Sequence, residues 1–277
     1  MGKCLVTRLN GVVSSNDNLK VLDAVVIKFN AVETQNENNS SVVIQSVSGK
    51  TLRVECIVGN FTDSTFAKNT GSVIESLTNS KLYVSNGAII KISSKQNISK
   101  VSFADAITDE GNKVIDISDF KYCKNLTNLL VVGNNLTGKL EMAEKNKLTL
   151  LLINRSDFYA TTQEIANVLS PNANTLNLTK AVNVKGDVSL LSNAIGLQYL
   201  YLTYTGISGT VESILEAMWK NGRKDGKLVI TTGNSLFFDG KTHGDYGYTI
   251  SVTFSSSEIV AVSNITRTFD GSTWTNS

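Results

Sequence analysis

Histidine, proline, charge and long apolar runs are all scarce in this chain of 277 residues. It contains one His and one Pro, and 18% of its residues are charged, against roughly 25% in an average soluble protein. A single His excludes sites that use several histidines as metal ligands or proton relays. The net charge is only +2, which disfavours general nucleic-acid binding. No apolar run approaches the roughly 18 residues that cross a bilayer, so we expect no membrane insertion.

The three cysteines, Cys4, Cys56 and Cys123, are far apart and show no metal-binding spacing. They predict buried free thiols in a chain made in a reducing compartment, and we expect no metal and no cofactor. The first residues, MGKCLVTRLNG, lack the apolar core of a signal peptide. We therefore expect synthesis in a cytoplasm.

Residues 1–95 consist of short apolar runs separated by polar clusters. The stretch from Thr51 to Val58 places Leu52, Val54 and Cys56 on one face and polar residues on the other, which is typical of a half-buried strand. This part therefore predicts a β-rich domain, either a sandwich or barrel-like.

The middle of the chain contains an internal repeat. Leu126–Leu140 fits the template L-x-x-L-x-L-x-x-N-x-L-[ST]-G-x-L, with Val131 as an apolar equivalent, and Leu197–Val211 fits it with Thr in place of Asn. Degenerate copies lie between them, so that copies start at residues 126, 148, 173 and 197. The distance between successive starts falls within the window of 20–29 residues that is typical of leucine-rich repeats.

The segments between the repeat strands carry helix signals. Thr161 to Glu164 has capping-box spacing, and residues 211–221 have an apolar face followed by Gly222. After residue 235, alternating residues predict a β-hairpin or meander that caps the repeats. The predicted fold class is α+β and multi-domain: a β-rich domain (1–95), a leucine-rich-repeat α/β solenoid (96–235) and a C-terminal β cap (236–277).

The chain resembles known proteins in these segments. The repeat region is similar to leucine-rich-repeat proteins of gut Bacteroidetes and their phages. The passages MGKCLVTRLNGVV, WKNGRKDGKLVIT and FDGSTWT resemble virion-associated proteins of crAss-like bacteriophages. The resemblance implies a structural protein of a tail or head appendage, such as a fibre-associated protein, made in the bacterial cytoplasm and residing in the virion. The implied partners are other virion structural proteins, further copies of this chain, and a host cell-surface glycan or protein.

Catalytic interpretations are weak at every candidate position. His243 lies beside Asp245, but the segment is flanked by Gly and no GxSxG nucleophile motif is present. The acidic residues Asp105, Asp109 and Glu110 precede Gly111, as in a solvated loop. We therefore expect no catalytic residues and no enzyme. An alternative to the virion protein is a bacterial leucine-rich-repeat adhesin or glycan-binding protein.

The repeat pattern also predicts which residues are buried and which form a contact surface. The expected core residues are Leu129, Val131, Leu151, Ile153, Leu200 and Leu202. The residue between each pair of buried positions faces outward, and these residues should align across the sheet. With their flanking neighbours they give a candidate interface of Leu130, Leu152, Asn177, Tyr199, Tyr201, Thr203 and Val229. Tyr201 is the expected anchor, since tyrosines are common interface hot spots.

Overall fold

The structure is a computed structural model. It describes residues 12–15, 18–21, 23–29, 40–59, 61–63, 70–71, 73–85, 87–103, 114–132, 135–142, 147–154, 158–233, 235–242 and 249–277. The chain divides into two compact units, Met1–Glu144 and Lys145–Ser277, called here the N-terminal unit and the C-terminal unit. Both predicted domain boundaries, at 95/96 and 235/236, fall inside these units, and the independence of the predicted domains stays a prediction.

The N-terminal unit is built from short strands. They are β1 (Val12–Ser15), β2 (Asn18–Val21), β3 (Ala24–Lys28), β4 (Ser40–Ser46), β5 (Leu52–Val58), β6 (Phe61–Asp63), β7 (Thr70–Gly71), β8 (Val73–Leu77), β9 (Asn79–Val84), β10 (Ile89–Ser93), β11 (Ile98–Ser102), β12 (Val114–Asp116), β13 (Asn128–Val132) and β14 (Asn135–Thr137). Two 3₁₀ helices, Lys95–Asn97 and Ile117–Tyr122, lie between strands.

Two sheets dominate this unit. One is antiparallel with the order β3-β10-β5-β8, and the other has the order β13-β11-β4-β9-β6-β7, in which β11 and β13 are parallel. Leu52, Val54 and Cys56 of β5 are buried while the residues between them are half-buried. The predicted strand over Thr51 to Val58 is therefore confirmed.

The described part of the C-terminal unit has two layers of strands and two α-helices. Its strands are β15 (Leu150–Asn154), β16 (Ala160–Thr161), β17 (Thr175–Asn177), β18 (Val184–Asp187), β19 (Tyr199–Tyr201), β20 (Gly206–Thr210), β21 (Lys227–Thr231), β22 (Leu236–Phe237), β23 (Thr249–Phe254), β24 (Ile259–Val262), β25 (Thr266–Phe269) and β26 (Trp274–Asn276). Its helices are α1 (Thr162–Val168), α2 (Val211–Lys220) and the 3₁₀ helix Val188–Asn193.

The main sheet of this unit runs in the order β15-β17-β19-β21-β23-β24-β25-β26. Its first four strands pair in parallel, and from β21 onward the pairs are antiparallel. A second layer, β16-β18-β20-β22, is also parallel. Apolar residues of both layers are buried, including Leu200 of β19 and Ile207 of β20.

The predicted fold class is wrong. The described part of the chain is mostly β, and an α/β leucine-rich-repeat solenoid is not supported. The return segments between β15, β17, β19 and β21 begin with the short strands β16, β18 and β20, each followed by α1, the 3₁₀ helix or α2. These short strands pair into a second parallel layer, so the unit is not one sheet backed by helices alone. Gly206–Thr210, for example, contains the Ser-Gly turn signal of the repeat template and yet forms β20 between β18 and β22. Parallel pairing with distant segments outweighs the local turn preference here.

The predicted core residues and helix signals are nevertheless confirmed. Leu129, Val131, Leu151, Ile153, Leu200 and Leu202 are all fully buried. At the start of α1, the Thr161 side chain accepts a hydrogen bond from the Glu164 amide (3.1 Å), and the Glu164 carboxylate accepts one from the Thr161 amide (2.7 Å). The apolar face of residues 211–221 forms α2, whose Ile214, Leu215 and Met218 are buried.

Candidate interaction surface

The candidate surface lies on the outer face of the main sheet in the C-terminal unit. Side chains alternate along a strand, so the fully buried Leu200 directs its neighbours Tyr199 and Tyr201 to the opposite face. Tyr199 is 40% exposed and Tyr201 is half-buried. Their rings are nearly parallel, with 6.0 Å between centroids and 11° between planes. The strand therefore presents two adjacent aromatic rings on one side.

Strand register aligns further residues with each tyrosine. The row through Tyr201 contains Leu152, Asn177, Tyr201, Thr231 and Thr249. The row through Tyr199 contains Leu150, Thr175, Tyr199, Val229, Ser251, Val262 and Thr266. A third row, in the antiparallel part, contains Lys227, Thr253, Val260, Thr268 and Thr275. These three rows together are called the tyrosine face.

The predicted alignment of the candidate interface is correct for three residues and shifted for one. Leu152, Asn177 and Tyr201 are partners in neighbouring strands, as expected. Val229 pairs with Tyr199 and not with Tyr201, whose partner is Thr231. In the structure Leu200 pairs with Ile230, so the inward-facing positions here are Ile230 and the fully buried Thr232, which follows β21. The outward residue between them is Thr231, and Val229 lies one row away. A buried Thr gives no apolar signal in the sequence.

The remaining interface candidates lie at different places. Thr203 lies two residues after the end of β19, and its hydroxyl donates to Thr231 Oγ1 at 3.0 Å. Leu130 belongs to the N-terminal unit, where it is half-buried in β13 and pairs with Ser102. The C-terminal unit therefore holds six of the seven candidates.

The tyrosine face combines aromatic and apolar residues with uncharged hydrogen-bonding groups. Lys227 is the one charged residue among its three rows, which all lie in described strands. Asn177 Oδ1 accepts a hydrogen bond from the Thr179 amide at 3.0 Å, which leaves its amide NH₂ turned to other partners. Within the described part of the chain, neither tyrosine hydroxyl has a hydrogen-bond partner. The face can therefore contact apolar groups and exchange hydrogen bonds without supplying charge.

The opposite face of the antiparallel strands is fixed to α2 by a cluster that the sequence analysis did not find. The Arg267 guanidinium pairs with Glu212 and lies 3.4 Å from Asp239, and Glu212 Oε1 also accepts the Asp239 amide at 2.7 Å. Trp274 donates to Glu216 at 2.6 Å, and its ring lies against Phe269. Because these partners come from distant segments, no local spacing could have revealed them.

A buried arginine supports the same strands. Arg223 is 6% exposed, its guanidinium lies over the Phe254 ring at 4.3 Å, and Nη2 donates to the Lys227 carbonyl at 2.8 Å. Burial lowers the pKa of Arg223 to about 10. This side chain holds the end of β21 against β23 from the inner side.

The structure does not describe the residues that the sequence offered as catalytic candidates. His243, Asp245, Asp105, Asp109 and Glu110 lie outside the described residues. In the part of the chain that is described, no group of three or more His, Cys, Asp or Glu side chains is placed to hold a metal ion. The helices in that part are all too short or too polar to span a membrane.

Comparisons of the chain with protein-family models, with curated proteins and with solved structures found no match.

Proposed function

We propose that this protein is a non-catalytic attachment component of a phage virion, in a tail or head appendage, and that the tyrosine face is its contact surface. The observation that carries the proposal is the pair of adjacent rings of the exposed Tyr199 and the half-buried Tyr201, which share rows of the sheet with the apolar residues Val229 and Leu152. Contiguous exposed apolar area on a soluble protein usually marks an interaction site. Tyrosine is enriched among residues that dominate binding energy.

The rigidity of the sheet supports this role. Tyr199 and Tyr201 flank a fully buried residue, and α2 is joined to the antiparallel strands through Arg267 and Trp274. Side chains on such strands are held in place before binding, so little conformational entropy is lost on contact. The sequence resemblance to virion-associated proteins supplies the setting, with other virion subunits, further copies of the chain or a host-surface ligand as partners.

Mass spectrometry of purified virions tests the setting. The expected result is that peptides of this chain copurify with capsid and tail proteins through a density gradient. If these peptides are absent from intact particles, the proposal that the protein is a virion component is wrong.

A paired variant tests the surface. Tyr201→Ala combined with Leu152→Asp removes an anchor and places a charge in the same row, and we expect loss of particle incorporation or of adsorption to host cells. Tyr159→Ala is the matched control, because Tyr159 is 72% exposed and precedes β16 in the other layer. Circular dichroism checks that both variants are folded. A folded double variant that is incorporated and adsorbs like the parent would overturn the proposal.

A further inference from the structure

The tyrosine face is nearly uncharged in a unit that uses charge elsewhere. Its single charged residue is Lys227, at the end of the third row. On the inner side of the same strands, Arg267, Glu212 and Asp239 are gathered into one cluster. The charged side chains therefore cluster on the inner side of these strands, and the three rows of the outer face carry only Lys227. A ligand with many negative charges, such as a nucleic acid or an acidic polysaccharide, would find almost no counter-charge here.

The hydrogen-bonding groups on the face are hydroxyls and amides. Asn177 lies between Leu152 and Tyr201 in one row, and Thr231 and Thr249 continue that row. The Asn177 amide NH₂ and the two tyrosine hydroxyls have no partner among the described residues. Neutral donors and acceptors of this kind match a ligand that itself carries many hydroxyl groups.

The two tyrosine rings supply the apolar part of such a site. The face of an aromatic ring carries partial negative charge and attracts the partially positive hydrogens of C–H groups. A pyranose ring has one face made largely of C–H groups and a rim of hydroxyls. Neighbouring strands are spaced at about 4.8 Å, close to the length of one pyranose unit, so a row across the sheet offers a contact to each successive sugar.

From this chemistry we infer that the ligand of the tyrosine face is a neutral polysaccharide that lies across the strands along the row of Tyr201. One sugar unit packs against the adjacent rings of Tyr201 and Tyr199 on β19, and its neighbours are hydrogen-bonded by Asn177 on β17 and Thr231 on β21. The inference rests on the proposed function, because it names the ligand class of the same contact surface. It assigns the host-surface ligand to glycans without carboxylate, sulfate or phosphate groups.

Native gel electrophoresis of the full chain in polysaccharide-containing gels tests the inference. The neutral panel is dextran, mannan, galactomannan, amylopectin and a soluble β-1,3-glucan, and the acidic comparators are polygalacturonate and hyaluronate. We expect retardation by at least one neutral polysaccharide and by neither acidic one. A chain retarded by no neutral polysaccharide, or more strongly by the acidic ones, would overturn the inference.

Variants locate the binding on the rings. Tyr199→Ala with Tyr201→Ala should weaken the retardation at least tenfold, Tyr199→Phe with Tyr201→Phe should weaken it less, and Tyr159→Ala should leave it unchanged. Retardation that survives the double alanine variant would place the glycan elsewhere and overturn the inference. Tryptophan fluorescence confirms that each variant is folded.

The outcomes separate the two proposals. If the Tyr201→Ala and Leu152→Asp variant loses incorporation or adsorption but the parent binds no neutral polysaccharide, the attachment role stands and the glycan inference fails. In that case the face binds a protein. If that variant changes neither incorporation nor adsorption, the attachment role itself fails.

Discussion

Truncation of Leu200 to Ala tests the packing of the C-terminal unit most directly. Leu200 is fully buried in β19, between its register partners Leu176 in β17 and Ile230 in β21, which are also fully buried. At about 0.8 kcal/mol per buried methylene-sized group, losing the atoms beyond Cβ costs about 2.4 kcal/mol. The cavity between two flanking strands adds to this, so the expected loss of unfolding free energy is about 2.5–5 kcal/mol.

The two tryptophans make this loss measurable in one unit alone. Trp219 and Trp274 are the chain's complete set of tryptophans, and both belong to the C-terminal unit. Urea unfolding followed by tryptophan fluorescence therefore reports that unit, with a slope that should match the parent if the variant is still two-state. In thermal unfolding the midpoint should fall by at least about 5 °C.

Val262→Ala serves as the control for this prediction. Val262 is 41% exposed on the outer side of the same sheet, so its truncation should cost less than about 1 kcal/mol. If Leu200→Ala melts within a degree of the parent, or no lower than Val262→Ala, the proposed inward direction of Leu200 is incorrect.

Three further predictions concern the turn at Asp270, the closely packed Gly186 and the buried Arg223. Asp270 accepts hydrogen bonds from the amides of Thr273 and Ser272, which lower its pKa to about 2. Because this pKa lies below the usual 3.8, the stabilisation is full above about pH 4 and is lost as the pH falls toward 2. The stability gap between the parent and Asp270→Asn should therefore shrink between pH 5 and pH 2 in urea titrations, and a constant gap would contradict the assignment. Gly186 has φ +128°, and a Cβ there would collide with Thr162 Oγ1, so Gly186→Ala should lose about 1–3 kcal/mol. Gly240→Ala, with φ +70° and open space, should lose less, and equal losses would show that the collision is relieved. Arg223→Ala removes the donor to the Lys227 carbonyl and should cost about 1–3 kcal/mol, whereas an unchanged urea midpoint would mean that water replaces the guanidinium.

The parts of the fold that could be predicted are those set by local pattern. The spacing of Leu200 and Leu202 identifies a strand with an inward face, and Thr161 with Glu164 identifies a helix start, because both depend on residues within a few positions. The same spacing led to the correct partners Leu152, Asn177 and Tyr201. The candidate surface was therefore largely accessible from the sequence.

The parts that failed depend on distant partners. Gly206–Thr210 has the composition of a turn and becomes a strand only because β18 and β22 lie on either side of it. Thr232 is polar yet fully buried, and Gly233 beside it lies so close to the Leu202 carbonyl that a Cβ would be 2.7 Å away. A buried Thr and a closely packed Gly just after β21 leave no apolar pattern in the sequence, so the register of β21 could not be predicted from it.

The separation of outer and inner side chains has a consequence for how this protein changes over generations. Tyr201, Leu152 and Thr249 meet in one row although they come from three separate stretches of the chain. A single codon change at any of them alters one point of the proposed contact surface, while Leu200 and its neighbours keep the sheet folded. The shape of the outer surface can therefore change by successive point mutations, without remodelling of a loop and without loss of the buried packing that holds the sheet together.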